Sequence, residues 1–309
     1  MNTRVETAPR GDVAAVVAAF SAIYLVWGST FLAIRFAVET IPPFAMMALR
    51  CLLGGAILLV VARWRESDAP WPTGREWAGS ALVGSLFFVG CHGLLAYAEQ
   101  RVPSGMAALC LATIPLFVPL LIWVAPNGHR PSLRASLGLL AGFTGVALLV
   151  ATQGSGGGLS ASQAALVLLT AFSWAAGTVA TRMVPMPQSP VFGAAAPLLS
   201  GAAVLVMIAL VTGELSPTRL SDVSAKSVGG LLYLVVFGTV LTFSAYIWLL
   251  RQVAPSRVAT YAFVNPAVAV LLGWALAGEA ISGGSLLATG VIVLAVAVVV
   301  TERTIQAPE

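Results

Sequence analysis

Long apolar runs alternate with short polar segments along the whole chain. Runs of about 20 apolar residues match a hydrocarbon core of about 30 Å, because a helix rises about 1.5 Å per residue. The pattern therefore predicts membrane-spanning helices at 14–36, 43–63, 77–98, 103–124, 134–152, 163–185, 190–213, 228–250, 255–277 and 284–301. The connections are short, so neighbouring helices are expected to run antiparallel.

The composition supports a membrane protein without a soluble module. Hydrophobic residues make up 59% of the chain and charged residues 9%, and the mean hydropathy is +0.94. A soluble domain of this size has roughly a quarter of its residues charged. Cys51, Cys91 and Cys110 lie inside apolar runs, so we interpret them as small core residues, not as disulfides or metal ligands. We predict no cofactor and no metal.

The distribution of basic residues predicts the orientation. If the N-terminus is cytoplasmic, eleven of the 16 basic residues lie on the cytoplasmic side, and four (Arg35, Arg101, Arg219 and Lys226) lie on the other. This asymmetry predicts a multi-pass protein of a bacterial-type inner membrane with both termini cytoplasmic. The net charge of +4 does not indicate nucleic acid, because the charges follow one set of loops. The expected partners are the lipid bilayer and a small molecule.

An internal repeat is the most informative feature of the sequence. Trp27 and Trp174 are each followed eight residues later by an arginine, and Pro43 and Pro190 each open a span at the same offset of 147. Matches in order across five spans indicate a duplicated five-helix unit, at residues 1–152 and 153–309. An odd number of helices makes the second copy enter the membrane inverted. The expected fold is all-α, with ten transmembrane helices as two inverted repeats around a central cavity. Duplication for stability alone is the alternative.

Several segments resemble a known family. They are Trp27-Gly28-Ser29-Thr30-Phe31, Ile114-Pro115-Leu116-Phe117, Ser173-Trp174-Ala175, Tyr261-Ala262-Phe263-Val264-Asn265-Pro266 and Gly278-Glu279. These segments resemble the EamA family of the drug/metabolite transporter superfamily. The resemblance implies ten helices, a central cavity and export of metabolites, with exporters of aromatic amino acids as the nearest functional type. Gly128-His129 departs from the Gly-Glu pattern that follows the fourth span, and we expect the retained Glu279 to cap or orient the helix after it.

Aromatic and polar residues at helical spacing suggest a substrate cavity in the middle of the spans. The two tryptophans fall mid-span, away from the interfaces where aromatic belts occur. The residues predicted to line the cavity are Tyr24, Trp27, Phe31, Phe88, His92, Trp174, Thr178, Phe243, Tyr246, Tyr261 and Asn265. Rings with scattered hydroxyls and an amide suit an amphiphilic solute. Ordinary packing is the alternative reading of such stripes.

Charged and titratable residues inside the spans are few. His92 either meets the substrate or bonds a neighbouring backbone carbonyl. Arg50 either binds a substrate carboxylate or is structural, since its counterpart in the second half is Pro197. All twelve acidic residues fall in loops, termini or span ends, with Glu99 and Glu279 nearest to the bilayer. This placement predicts a facilitative or weakly coupled carrier.

Pro115 and Pro266 stand at matching positions of the fourth and ninth spans. Each lacks an N–H and frees the carbonyl four residues earlier, so each helix is expected to kink there. The two prolines are predicted hinges for alternating access, and static kinks are the alternative.

These observations together predict a secondary transporter, not an enzyme. It is expected to move small amphiphilic metabolites across the inner membrane, mainly outward, with aromatic or large neutral amino acids as the first candidates. The alternatives are a multidrug carrier or a carrier of other metabolites, such as sugar or nucleotide precursors, from the same superfamily.

An intramembrane enzyme would need a nucleophile beside a base or a zinc-ligand spacing, which the sequence lacks. Ten helices can enclose a cavity in one chain, so a monomer would suffice; a dimer is the alternative.

Overall fold

The computed structural model describes residues 13–125, 130–152, 160–253, 258, 261–281 and 283–306, and within these ranges it contains helices joined by turns, with no strand. The long helices are α1 (Val13–Ala37), α2 (Pro43–Arg65), α3 (Gly74–Glu99), α4 (Ser104–Val124), α5 (Leu133–Thr152), α6 (Ala161–Ala180), α7 (Pro190–Val211), α8 (225–252), α9 (Tyr261–Ala277) and α10 (Gly283–Gln306). A single helical turn, Pro217–Leu220, lies between α7 and α8.

Seven helices in the described part of the chain are long and apolar enough to cross a membrane. They are α1, α2, α3, α4, α6, α7 and the Ala225–Tyr246 part of α8. The other long helices contain shorter apolar stretches, at Leu133–Leu149, Val264–Ala277 and Leu286–Ala295. An all-helical membrane protein is therefore confirmed, while the number of ten spans stays a prediction.

Local sequence explains where the helices begin and end. Pro43 and Pro190 occupy the first turns of α2 and α7, where a missing N–H costs nothing. The Ser189 side chain accepts a hydrogen bond from the Phe192 N–H at 3.1 Å and caps α7. Helix α6 ends at Ala180, five residues before the predicted end at 185. The reason is Pro185, because a proline disfavours helical geometry in the residue before it.

Three long helices change geometry within their length. Residues Ser85–Gly93 of α3 and Leu234–Leu241 of α8 form π-helical segments. Helix α4 is interrupted at Ala112 and Thr113, so Pro115 lies in the first turn of the segment Ile114–Val124 and not in mid-helix. In that turn the missing N–H of proline is not needed. Helix α9 continues through Pro266.

Helices from the two halves of the chain pack closely against each other. Helix α2 lies along α7, α5 along α10, and α4 against α9, while α1 contacts α8 and α9 and α6 contacts α3 and α4. Small residues permit these contacts. A Cβ at Gly145 of α5 would lie 2.7 Å from Ile292 Cγ1 of α10, and one at Gly55 of α2 would lie 2.9 Å from Leu199 Cγ of α7. Gly55 and Gly145 thus allow the paired helices to approach closely.

The ends of α2 and α7 are joined reciprocally. Glu214, which follows α7, is buried and accepts a hydrogen bond from the Ala45 N–H at the start of α2 at 2.8 Å. At the opposite ends, Ser189 at the start of α7 donates to the carboxylate of Glu66, which follows α2. An anionic group near a helix N-terminus stabilises it, so each helix caps the other. We call these two sides of the bundle the Glu214 end and the Glu66 end.

Candidate functional site

One group of aromatic side chains, the Trp27 cluster, joins α1, α8 and α9. It consists of Trp27, Tyr246 and Tyr261, with ring centroids 5.4 Å apart between Trp27 and Tyr246 and 5.0 Å apart between Trp27 and Tyr261. The Trp27 Nε1–H donates to the Gly238 carbonyl at 3.2 Å. That carbonyl lies in the π-helical segment of α8.

A second group, the Trp174 cluster, joins α3 and α6. It consists of Phe87, Phe88, His92 and Trp174. The Trp174 ring lies 4.4 Å from Phe87 and 5.1 Å from His92, centroid to centroid. His92 Nδ1 lies 3.0 Å from the Phe87 carbonyl oxygen, five residues earlier, so only Nε2 is left to meet a ligand. His92 thus contacts a neighbouring backbone carbonyl, which is one of the two alternatives predicted for it, and it also contacts the Trp174 ring.

Phe87 is a member of the Trp174 cluster that the sequence pattern misses. The segment Ser85–Gly93 is π-helical, so the spacing of an α-helix does not say which of its residues share a face. Phe88 still reaches His92, with centroids 5.9 Å apart. The neighbouring Phe87–Phe88 pair is the only sequence signal that could have suggested the second ring.

The other predicted cavity residues lie around or outside these clusters. The Asn265 amide, with its nitrogen turned toward them, lies 3.2 Å from the carbonyl oxygens of Tyr24 and Tyr261, and its polar group is therefore used within the protein. Phe243 lies 6.3 Å from Tyr246, while Phe31 packs against the main apolar core. Thr178 is exposed on α6 and donates to the Trp174 carbonyl at 2.9 Å. Trp27 and Trp174 belong to separate clusters.

Arg50 is buried in α2 close to both clusters. Its Nε–H donates to the Thr239 hydroxyl of α8 at 3.1 Å, and its Nη1 has no hydrogen-bond partner among the described residues. Its charge acts on His92 and on Glu99 of α3. A buried guanidinium with an unused donor is suited to bind an anionic group.

Glu279, which follows α9, ties together three elements at the Glu214 end. Its carboxylate accepts from Arg35 Nη1 of α1 at 2.5 Å, from the N–H and hydroxyl of Ser104 at 2.8 Å each, and from the Gly105 N–H at 3.0 Å. Glu279 therefore caps α4, a role that the sequence did not predict for it. Gly278 makes this turn possible, because its φ of +65° suits glycine. The related position at Gly128-His129 lies outside the described residues.

The described part of the chain shows no group of three or more histidine, cysteine or acidic side chains that could hold a metal ion. Cys51, Cys91 and Cys110 are buried free thiols. An open depression of about 260 Å³ lies beside the last turn of α3, where Tyr97, Gln100 and Arg101 face Ser160 and Gln163. It lies at the Glu214 end of the bundle, which also carries Glu279.

Apolar helices able to cross a bilayer, packed around interior aromatic clusters and a buried arginine, define a multi-pass membrane protein. The model of the EamA-like transporter family matches residues 9–151 and again residues 161–301. The chain belongs to this family. It is a membrane transporter and not an enzyme.

Related proteins agree with this assignment. The uncharacterized inner membrane transporter YedA of Escherichia coli (strain K12) is 38% identical over 284 residues, which cover 91% of this chain and 89% of YedA. The uncharacterized transporter YoaV of Bacillus subtilis (strain 168) is 25% identical over 261 residues, which cover 82% of this chain and 85% of YoaV. A crystal structure of another protein, 23% identical, matches with a TM-score of 0.60 over 94% of this chain and 98% of that chain, and this likeness concerns the fold alone.

Proposed function

We propose that the protein is a secondary transporter of the inner membrane that exports small amphiphilic metabolites, first of all aromatic or large neutral amino acids and related compounds. The observation that carries this proposal is the Trp174 cluster beside the unpaired donor of Arg50. Aromatic rings favour an apolar, planar side chain, and a free guanidinium N–H favours a carboxylate. An amino acid with a large apolar side chain combines both features.

The low number of fixed charges in the interior supports a solute with few polar groups. Arg50, Glu99 and Asn265 are the buried charged or amide residues nearest the clusters, and Asn265 already bonds two backbone carbonyls. A polyanion such as a nucleotide sugar would need several cationic partners. We therefore place other metabolites of the superfamily second, and a lipophilic drug third.

We further propose that residues 1–152 and 153–309 are two inverted five-helix units around a central cavity. Three observations support this arrangement. The family model matches the chain twice, the π-helical segments of α3 and α8 fall at corresponding positions, and the caps between α2 and α7 are reciprocal. In inverted repeats the two halves can exchange roles, which gives inward-open and outward-open states of similar energy. One chain suffices for this cycle.

The proposed hinges are Pro115 and Pro266. Two observations support this proposal: α4 is interrupted directly before Pro115, and Pro266 removes one hydrogen bond from α9. Replacement of both prolines by alanine should slow flux more than it weakens substrate binding. Unchanged flux would remove the hinge proposal.

We assign the Glu66 end to the cytoplasm, together with both termini. Arg63, Arg65 and Arg75 lie near this end, in agreement with the excess of basic residues in cytoplasmic segments. The depression near Gln100 then opens to the outer face.

The experiment that tests the proposal is uptake by liposomes containing the purified protein, with labelled tryptophan, phenylalanine, leucine, lysine and glutamate. The expected order of initial rates places tryptophan and phenylalanine above leucine, and leucine above lysine and glutamate. Fastest transport of glutamate or lysine would contradict the proposed substrate class. Transport of none of the five, with flux of a lipophilic cation, would favour the multidrug alternative.

A further inference from the structure

Glu99 is a buried carboxylate that the proposed transport site does not use. It is the last residue of α3 and is 3% exposed, and neither of its carboxyl oxygens has a hydrogen-bond partner among the described residues. The sequence places Glu99 at a helix end, as observed, but its burial changes what that position means. An ionised carboxylate without a donor or a cation is strongly disfavoured in a protein interior. Among the described residues Glu99 has no group that would stabilise its charge, so a proton or another cation is needed there.

The neighbouring charges leave Glu99 in this state. The charged groups that act on it are Glu279, which follows α9, Arg35 of α1 and Arg50 of α2. Arg35 is engaged by Glu279, and Arg50 donates to Thr239. Helix α6, which also packs against the end of α3, carries no charged residue. The other titratable groups on the packed elements are Tyr24 of α1, Cys51, Arg63 and Arg65 of α2, Cys110 of α4 and, on α3 itself, Arg75, Glu76, Cys91, His92 and Tyr97.

The repeat indicates that the fold does not require this carboxylate. The position that corresponds to Glu99 in the second half, at the offset of 149 that relates Tyr97 to Tyr246, is Trp248. The counterpart of Arg50 is Pro197. The first half thus holds two buried, incompletely paired groups of opposite charge, and the second half does without both. Ionisable groups of this kind inside membrane proteins usually serve transport.

The last turn of α3 borders the open depression at the Glu214 end. The open depression at this end is lined by Ala98 and Gln100, the residues on either side of Glu99 in the chain. Ser160 and Gln163 form the opposite wall. The depression therefore brings water to the helical turn that carries Glu99.

We propose that Glu99 is the cation-accepting site of the transport cycle, which holds either a proton or the ammonium group of the substrate, but not both. This inference rests on the proposed function for its second ligand. A proton from the outer face converts the carboxylate to the neutral acid. When an amino acid binds, its carboxylate pairs with Arg50, its ammonium group pairs with Glu99, and the proton leaves to water. Proton entry and substrate export are then coupled through one carboxyl group.

The first test uses the purified full-length protein in lipid and infrared difference spectroscopy. Without substrate, the carbonyl band of a neutral carboxylic acid should titrate with pH, disappear in Glu99→Gln and persist in Glu99→Asp. The matched control is Glu39→Gln, which removes a half-exposed carboxylate paired with Lys226 and should leave the band in place. Persistence of the whole band in Glu99→Gln would overturn the proton site, and a response to sodium in place of protons would do so too.

The second test separates the two ligands. Addition of tryptophan at fixed pH should shrink the Glu99 band, whereas indole-3-propionate, which lacks the ammonium group, should not. In proteoliposomes, a pH difference of one unit can support about tenfold accumulation of tryptophan at one proton per substrate. This accumulation should vanish in Glu99→Gln and persist in Glu39→Gln. The downhill exchange that remains in Glu99→Gln should need a higher concentration of tryptophan, because the ammonium group has lost its partner. Accumulation that is unchanged in Glu99→Gln would overturn the coupling. If tryptophan is neither bound nor carried, the proposed function fails, and the substrate-free titration still decides whether Glu99 binds a proton.

Discussion

At the scale of single residues, the Trp174 cluster is the part of the interior whose chemistry most directly concerns the substrate. Trp174 contacts Phe87 and His92 through its ring alone. Because Trp174 carries no structural hydrogen bond through its indole among the described residues, whereas Trp27 donates to Gly238, its ring is the better probe of substrate contact.

Trp174→Ala should raise the KM for tryptophan by about three- to tenfold and change kcat little, because one aromatic contact contributes about 0.5–1.5 kcal/mol beyond burial. Initial rates of uptake into proteoliposomes measure both constants. Trp64→Ala is the matched control, since Trp64 is 79% exposed on α2, and its kinetics should equal those of the unaltered protein. An equal effect of both substitutions would show that the loss is not a cavity effect.

Some of the site residues could be predicted from the sequence and others could not. Trp27, Tyr246 and Tyr261 are predicted as cavity residues from helical spacing, and the structure brings them together. Phe87 is missed, because a π-helical segment changes which side chains face inward. The burial of Glu99 is also missed, since it depends on how α1, α2 and α6 close around the end of α3.

At the scale of elements, Glu279 decides how α1, α4 and α9 meet. Its carboxylate satisfies two backbone N–H groups at the start of α4 and pairs with Arg35. A Cβ on Gly273 would collide with this carboxylate, so the glycine leaves the space that the Glu279 side chain occupies. The contact is a charge-assisted cap in a largely buried setting.

Glu279→Gln should lower the free energy of unfolding by about 1–3 kcal/mol, because the amide cannot pair with Arg35 and meets the N-terminus of α4 without charge. Thermal unfolding in detergent, followed by tryptophan fluorescence, measures the change. Glu39→Gln breaks the exposed pair with Lys226 and should cost only about 0–1 kcal/mol. A loss for Glu279→Gln no greater than for Glu39→Gln would refute the cap.

Element boundaries are predictable where a residue forces them. Pro43 and Pro190 open α2 and α7 as expected, since proline is favoured in a first helical turn. Pro115 predicts a disturbance of α4, but the sequence does not predict that the interruption lies at Ala112 and Thr113. The partner of Glu279 could not be predicted, because the contact spans 175 residues of sequence to Ser104.

At the scale of the whole molecule, apolar periodicity and composition suffice to predict a helical membrane protein. The repeat of Trp27 and Trp174 with their following arginines predicts two related halves, and the pairing of α2 with α7 and of α5 with α10 agrees with such a relation. The separation of the two aromatic clusters is a property of the assembled bundle. It arises because α1 packs on α8 and α9 while α6 packs on α3 and α4.

Alternating access between inverted halves is the central claim, and opposite movements at the two ends of the bundle test it most directly. One pair of spin labels replaces Arg101 and Lys226 at the Glu214 end, and a second pair replaces Arg75 and Arg182 at the Glu66 end. All four residues are exposed, and each pair joins the first half of the chain to the second. The background is Cys51→Ala, Cys91→Ala and Cys110→Ala. Electron–electron double resonance in lipid, with and without tryptophan, should show one distance growing while the other shrinks. Two distances that stay fixed, or that change in the same direction, would contradict the account.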